Sequence, residues 1–195
     1  MLFLSQYDIP LNDARELTDT FALHRAVYRL FPDAGNSADN SSIPLFADKG
    51  ECDNVRRILI LSDRQPELPE NGSMLCKKIP ENWLEAPDYQ FTIVLNAVQH
   101  DETGGRELAM CDLQSVGEWF CKEVSAWGFE LKEAMLESIT PDRFTAGNNT
   151  VMLNKATLSG VLHVTDRERF IRSFSEGIGT GRAFGCGLLQ IVPLV

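Results

Sequence analysis

The clearest pattern in the sequence is a strand, a helix and a second strand that follow one another in its C-terminal part. Residues 157–164 alternate in two sets that both contain apolar side chains, which predicts a mostly buried strand. Residues 165–168 read Thr-Asp-Arg-Glu, a capping box, and they open a helix that ends at Gly177. Residues 188–192 form a final buried strand. This order is that of the second half of a ferredoxin-like unit.

The N-terminal part has a similar order of predicted elements. Residues 2–7 form a short strand, and Thr18 or Asp19 caps a helix that runs to about Phe31. A further strand is predicted over residues 57–62. We therefore predict an α+β fold that consists of two tandem ferredoxin-like (RRM-like) domains.

A proline-rich stretch, residues 63–88, separates the two predicted domains. It contains no long periodic pattern, so the domain boundary is placed at its end. The sequence thus predicts an N-terminal ferredoxin-like domain over residues 1–88, which carries the first helix. A C-terminal ferredoxin-like domain follows over residues 89–195, with the glycine-rich loop described below.

Between these segments the pattern is less regular. Residues 91–98 are rich in β-forming side chains and predict a strand, whereas 36–42 and 104–105 predict loops. A helix that ends near Gly128 is predicted from an apolar stripe at helical spacing, formed by Leu113, Val116, Phe120, Val124 and Trp127. Residues 129–139 fit a strand or a helix equally well.

Charge is distributed unevenly along the chain. The net charge of −10 argues against a protein held on nucleic acid by bulk charge alone. However, residues 142–195 contain six Lys/Arg and four Asp/Glu, a net of +2. A polyanion is therefore expected to bind this segment first.

The composition also excludes several classes of protein. Five cysteines without a C-x-x-C pair argue against a disulfide framework or a structural zinc site. The first residues have no basic n-region and no sustained apolar h-region, so we do not expect a signal peptide. No apolar run approaches the length of about 20 residues that crosses a bilayer. We expect a soluble, cytoplasmic protein that does not bind a membrane.

The loop over residues 177–187 has five glycines in eleven residues. It follows a helix and precedes a strand, the reverse of a dinucleotide fingerprint, and it has no Walker A Gly-Lys-Ser/Thr. One interpretation is a helix cap and a tight bend, for which Gly177 is sufficient. The other four glycines favour a binding loop whose exposed N–H groups and Arg182 approach a ligand.

His24 is the candidate catalytic residue on the first predicted helix. It projects between Tyr28 and Phe31 at the edge of the apolar face, whereas Arg25 and Arg29 face outward. A lone histidine in this position is either structural or a general acid/base. The two arginines would hold the flank of a polyanion, and spacing alone does not decide between the two interpretations.

Two segments carry a family resemblance. Asp19-Thr20-Phe21-Ala22-Leu23-His24-Arg25 with Leu30-Phe31-Pro32, and Gly160-Val161-Leu162 with the glycine-rich loop up to Leu189, resemble the CasE (Cse3) endoribonucleases of the CRISPR Cascade system. The resemblance implies two ferredoxin-like domains and cleavage of the CRISPR repeat transcript beside a stem-loop. It further implies attack by the ribose 2′-OH without a metal or other cofactor, and assembly with other Cascade subunits.

The resemblance also assigns roles to individual residues. His24 falls on the catalytic histidine of the family. Contacts to RNA are implied for Arg25, Arg29, Arg143, Lys155, Gly177, Gly179, Gly181 and Arg182. Family members often carry tyrosine where this chain has Phe21, which cannot hydrogen-bond the nucleophile or the phosphate. Tyr28, one turn after His24, is the candidate to compensate for this loss.

Three interpretations of function are therefore open. The first is a metal-independent endoribonuclease for CRISPR repeat RNA that uses His24. The second is a catalytically weak or inactive repeat-RNA-binding subunit of Cascade, which the replacement at Phe21 favours. The third is a tandem ferredoxin-like protein that binds a small ligand or a protein through its acidic face.

Overall fold

A computed structural model of the chain describes residues 1–32, 43–100, 107–110 and 112–194. The strands are β1 (Phe3–Pro10), β2 (Leu45–Cys52), β3 (Val55–Ser62), β4 (Ser73–Lys78), β5 (Asp88–Asn96), β6 (Val98–His100), β7 (Glu107–Ala109), β8 (Phe129–Ala146), β9 (Asn149–Val164) and β10 (Gln190–Pro193). The α-helices are α1 (Leu11–Ala14), α2 (Thr20–Tyr28), α3 (Leu113–Glu123) and α4 (Arg167–Glu176). The predicted loops 36–42 and 104–105 lie outside the described residues.

The strands form two four-stranded antiparallel sheets and a small ribbon of β6 and β7. The second sheet has the order β10-β5-β9-β8, with α3 and α4 in the connections of a complete ferredoxin-like unit. The first sheet has the order β2-β3-β1-β4 and carries α2, whereas residues 63–72 between β3 and β4 contain no helix. The predicted α+β fold with two ferredoxin-like halves is confirmed. The domain boundary at residue 88 stays a prediction.

Helix α2 begins where the sequence places its cap. The Asp19 carboxylate accepts a hydrogen bond from the backbone N–H of Ala22, 2.8 Å away. The predicted end at Phe31 is wrong, because the helix ends at Tyr28 and the next hydrogen bonds have three-residue spacing. Leu30 and Phe31 are nevertheless buried.

The first sheet is covered on both faces. One face packs against α2 through a core that includes Tyr7, Ile58 and Ile60. The opposite face contributes Leu45 and Leu61 to the larger core of the second sheet. The two halves therefore share buried apolar surface, which holds α2 in a fixed position relative to the second half.

In the second half, the structure corrects the apolar stripe predicted for the helix that ends near Gly128. It also decides whether residues 129–139 form a strand or a helix. Helix α3 continues as a short 3₁₀ helix, Val124–Trp127, and Gly128 ends it at φ 87°. Leu113 is 64% exposed, so the first residue of the predicted stripe does not belong to the core. Residues 129–139 lie within β8, whose hairpin with β9 extends beyond the body of the sheet.

Two expectations about the C-terminal elements need correction. The cap of α4 is Asp166 rather than Thr165, because the Asp166 carboxylate accepts a hydrogen bond from the Arg169 N–H. The final strand begins at Gln190, and the buried Leu188 and Leu189 precede it. The predicted helix end at Gly177, which has φ 81°, is confirmed.

Candidate active site

The glycine-rich loop, residues 177–187, folds back on itself at the C-terminal end of α4. The Ile178 N–H donates to the Gly187 carbonyl at 3.0 Å, and the Gly187 N–H donates to the Val94 carbonyl of β5 at 2.7 Å. The N–H groups of Phe184 and Cys186 both donate to the carbonyl oxygen of Gly181. These four N–H groups bond within the protein, so the expectation of amides open to a ligand is wrong for them.

His24 of α2 contacts this loop. Its Nδ1 lies 2.8 Å from the Ala183 carbonyl oxygen. Because a carbonyl oxygen only accepts hydrogen bonds, Nδ1 carries the proton and donates it. The neutral imidazole then has its lone pair on Nε2, which can accept a proton.

Aromatic rings surround the half-buried imidazole. The ring centroids of Tyr28, Phe184 and Phe21 lie 4.0, 5.3 and 5.7 Å from that of His24. Burial lowers the pKa of His24 below its ordinary value; the hydrogen bond to Ala183 opposes this shift, and the charge of Arg25 adds to it. The imidazole is therefore neutral at neutral pH, which is the form that a general base requires.

Tyr28 offers a phenol beside the imidazole. Burial raises the pKa of Tyr28, while the nearby positive charge of Arg182 lowers it, with a net rise. Within the described part of the chain, its hydroxyl has no hydrogen-bond partner. Tyr28 is thus protonated at neutral pH and available to donate a hydrogen bond to a ligand next to His24.

Four arginines lie on the elements that form this site. Arg25 is exposed on α2 and Arg29 is exposed directly after it, and the guanidinium of Arg25 lies 5.4 Å from the ring centroid of Phe21. Arg143 is exposed on the β8–β9 hairpin. Arg182 follows Gly181 in the loop and donates to the Glu176 carbonyl at 2.8 Å, which fixes its side chain at the end of α4.

Lys155 is held within the protein. Its ammonium lies 2.8 Å from the Asp142 carboxylate and 3.2 Å from the Thr20 hydroxyl, which itself donates to Asp142 at 2.6 Å. Burial acts to raise the pKa of Asp142, but the bonds from Lys155 and Thr20 outweigh it and lower that pKa. This ion pair joins the hairpin to the first turn of α2, and contact of Lys155 with RNA stays a prediction.

A small apolar cluster joins the hairpin, the loop and α2. It is built on Phe144, Leu153 and Cys186, and Phe21 and Phe184 pack against it. The rings of Phe144 and Phe184 meet edge to face, with centroids 4.9 Å apart. Burial raises the pKa of the Cys186 thiol to about 11, so this side chain is an apolar packing group rather than a nucleophile.

Sequence reasoning missed two contributors to the site. The Ala183 carbonyl gives no sequence signal, because any residue supplies a backbone oxygen. Asn96, which hydrogen-bonds Thr180 in the loop at 3.0 Å, was detectable as a polar residue at the end of an apolar strand.

The described residues include no group of three or more His, Cys, Asp or Glu side chains that could hold a metal ion. Cys52, Cys76, Cys121 and Cys186 are free thiols. Among the helices in the described ranges, none has the length and apolar character needed to cross a membrane.

Comparisons with known proteins give matches along nearly the whole chain. Cse3 from Thermus thermophilus, solved with an RNA that represents a pre-cleavage complex, matches with a TM-score of 0.85 and 18% identity, over 98% of this chain and 99% of that one. Cas6e from Escherichia coli K-12 matches with a TM-score of 0.76 and 18% identity, over 98% and 100%. A chain of a CRISPR RNA-guided surveillance complex matches with a TM-score of 0.72 and 18% identity, over 98% and 100%.

These structural matches show a common fold, and they confirm the resemblance that the two terminal segments carry. A search of curated protein sequences finds no significant match. A family model, in contrast, covers residues 2–193 and describes CRISPR associated proteins. The chain therefore belongs to the family of CRISPR associated proteins.

Proposed function

We propose that this protein is an endoribonuclease that cleaves CRISPR repeat RNA next to a stem-loop to make crRNA. The observation that carries the proposal is the imidazole of His24, which bonds the Ala183 carbonyl through Nδ1 and leaves Nε2 to accept a proton. Solved relatives with the same fold are bound to RNA or belong to a surveillance complex. We further propose that the protein acts in the cytoplasm as a Cascade subunit and retains its product there.

In the proposed reaction the ribose 2′-OH attacks the adjacent phosphorus. Nε2 of His24 takes the 2′-OH proton as the new O–P bond forms and the bond from phosphorus to the 5′ oxygen breaks. The 5′ oxygen takes a proton from water and leaves as a hydroxyl, and the other fragment ends in a 2′,3′-cyclic phosphate. The imidazolium of His24 then returns its proton to the solvent, so that no net proton is gained or lost. The nucleophile belongs to the RNA, so the reaction needs no metal-activated water.

The other predicted site residues have roles around this step. Tyr28 donates a hydrogen bond to the phosphate, a role that Phe21 cannot fill because it has no hydroxyl. The four arginines described above bind flanking phosphates. The RNA lies against Gly177, Gly179 and Gly181 in this proposal. A Cβ added to Gly177 or Gly181 would face Leu45 or Leu153 of the chain itself, so these two glycines supply the positive φ of the loop rather than space for the RNA.

The site lies where the two proposed domains meet. The N-terminal domain, residues 1–88, supplies α2 with its histidine, and the C-terminal domain, residues 89–195, supplies the loop and the hairpin. Neither domain alone places the Ala183 carbonyl against His24. We therefore expect cleavage to require both domains in one chain.

The decisive test is incubation of the purified chain with repeat RNA in EDTA. We expect one cut beside the stem-loop, with a 2′,3′-cyclic phosphate on one product and a 5′-OH on the other. RNA with a single 2′-deoxy nucleotide at the mapped cut should stay intact, because it lacks the nucleophile. Cleavage that EDTA abolishes, or that proceeds on the deoxy substrate, would contradict this mechanism.

The pKa of His24 predicts how cleavage depends on pH. A general base must be deprotonated, so the rate rises as pH rises through the pKa of His24. Because burial holds that pKa below the ordinary 6.5, single-turnover rates should be flat near pH 7 and fall only at lower pH. If the cleavage rate falls on acidification with a midpoint above pH 6.5, another group, or a charged His24, controls the cleavage step.

The scarcity of cations predicts a shallow salt dependence. If the four arginines at the site bind phosphates, a plot of log affinity against log salt should have a slope of about −3 to −4. Binding titrations over a series of NaCl concentrations measure this slope. A much steeper slope would mean that cations elsewhere on the chain, such as Lys77 and Lys78, also bind RNA.

The second candidate function is a repeat-RNA-binding subunit with little or no cleavage. It is favoured by Phe21, whose ring lies beside His24 where related proteins often have a hydroxyl. This function predicts a stable complex in which the repeat RNA stays uncut. Failure to bind stem-loop RNA even at low salt would instead favour a protein or small-molecule partner for the acidic surface.

A further inference from the structure

A buried amide at the end of β5 holds the glycine-rich loop. Asn96 is only 6% exposed, and its side chain makes hydrogen bonds in two directions. Its Oδ1 accepts from the backbone N–H of Asn154 at 2.8 Å, and its Nδ2 donates to the Thr180 hydroxyl oxygen at 3.0 Å. Asn154 is itself buried and bonded to the Ala97 and Met110 carbonyls.

These contacts determine which way the Asn96 amide points. A backbone N–H only donates, so the atom that faces Asn154 must be the carbonyl oxygen of the amide. The NH₂ group then faces Thr180, where the hydroxyl oxygen is the acceptor. Because an amide NH₂ cannot accept a hydrogen bond, the Thr180 hydroxyl proton points away from Asn96.

Thr180 is therefore a hydrogen-bond donor whose proton faces away from Asn96 before any ligand arrives. The residue is exposed, and nothing in the described ranges accepts its proton. It lies three residues before Ala183, which contacts His24, and two before Arg182. Arg182 gives the same loop a positive charge, and a hydroxyl donor on a positively charged loop suits an anionic oxygen acceptor.

We propose that Thr180 binds the RNA directly, with its hydroxyl donating to a phosphate oxygen of the strand that lies against the glycine-rich loop. Asn96 is the positioning residue that aims this hydroxyl. The inference rests on the proposed function and extends it, because it adds a contact made by a side chain rather than by loop glycines. The contact is independent of which base the RNA carries at this position.

The first experiment compares Thr180→Val and Thr180→Ser by RNA binding in EDTA, with His24→Ala in the background so that the RNA stays intact. Valine keeps the shape of threonine but has no donor, so the dissociation constant should rise about tenfold. Serine keeps the hydroxyl and should bind within about twofold of threonine. Thr165→Val, an exposed threonine at the far end of α4, is the matched control and should change nothing.

A second variant tests the positioning role. In Asn96→Asp the carboxylate still accepts the hydrogen bond from the Asn154 N–H, but it has no N–H to donate to Thr180. The Thr180 hydroxyl therefore turns inward to donate to the carboxylate and no longer donates to the RNA. The added negative charge weakens binding in any background. The loss caused by Asn96→Asp should therefore be about tenfold larger with Thr180 present than with Thr180→Val. Thermal denaturation checks that both variants fold.

The outcomes separate the two levels of the proposal. If Thr180→Val binds repeat RNA with the same affinity as the chain with Thr180, the Thr180 contact is overturned and the proposed function is left intact. Equal losses from Asn96→Asp in both backgrounds would overturn the positioning role. A wild-type chain that binds no repeat RNA would overturn the proposed function and the Thr180 contact together.

Discussion

Replacing His24 with alanine is expected to slow cleavage of repeat RNA by about 10²–10⁴-fold, the usual contribution of a general acid or base. The imidazole is the group placed to take the 2′-OH proton, with Nδ1 committed to the Ala183 carbonyl. RNA binding should be nearly unchanged, because the lowered pKa keeps the wild-type side chain neutral at pH 7. Single-turnover cleavage and a binding titration measure the two effects separately.

His163→Ala is the matched control for this experiment. His163 is also partly buried and bonded through Nδ1, in its case to the Asp88 carboxylate at 2.7 Å. It lies on β9 near Lys132, which bonds the same carboxylate, and far along the strand from the hairpin and the loop. Cleavage should persist in His163→Ala. Full activity in His24→Ala, or equal losses in both variants, would contradict the assignment of His24.

Gly187→Ala is expected to destabilise the fold by about 2–4 kcal/mol. Gly187 has φ +83°, a region that costs about 1–2 kcal/mol for residues with a Cβ. An added Cβ would also lie 2.5 Å from the Ile178 carbonyl oxygen, a backbone atom. The clash would separate Ile178 from Gly187 and open the hydrogen bonds that close the loop. Urea denaturation followed by circular dichroism measures the change.

Gly117→Ala provides the control for backbone effects. Gly117 lies inside α3 without positive φ, and an added Cβ would meet no atom within 4 Å. Alanine is the better helix former, so this variant should be neutral or more stable by up to about 1 kcal/mol. We therefore expect Gly187→Ala to lower the free energy of unfolding and Gly117→Ala to leave it unchanged or raise it. A stable Gly187→Ala protein would show that the loop tolerates another backbone path.

The elements that sequence reasoning predicted well are those whose signal is local. Asp19 at the start of α2, Gly177 at the end of α4 and the apolar alternation in β9 each depend on neighbours within a few residues. The errors occur where local signals are ambiguous. The cap of α4 was predicted one residue too early because Thr165 and Asp166 both suit the position. The structure of residues 129–139 was open because strand and helix patterns overlap there.

The candidate site also combines residues that the sequence indicated with contacts that it did not indicate. The sequence pattern and the family resemblance together indicated His24 and Arg182, but they did not indicate what each side chain bonds. Arg182 donates to the carbonyl of Glu176, and Lys155 is paired with Asp142. Another cation of the C-terminal segment, Arg167, donates to carbonyls of the segment between the two sheets. These hydrogen-bond and ion-pair partners determine which of the positively charged side chains are available to bind RNA.

The sequence by itself determined the strand–helix–strand order near each end of the chain, the cap of the first long helix and the presence of a histidine on that helix. Local hydrogen bonding and hydrophobic periodicity encode these features. Only the tertiary structure decided the state of that histidine, because the Ala183 carbonyl that selects its tautomer lies 159 residues away along the chain. The pairing of Asn96 with Thr180, 84 residues apart, arises in the same way. Such contacts depend on how the two halves pack, and no local pattern carries that information.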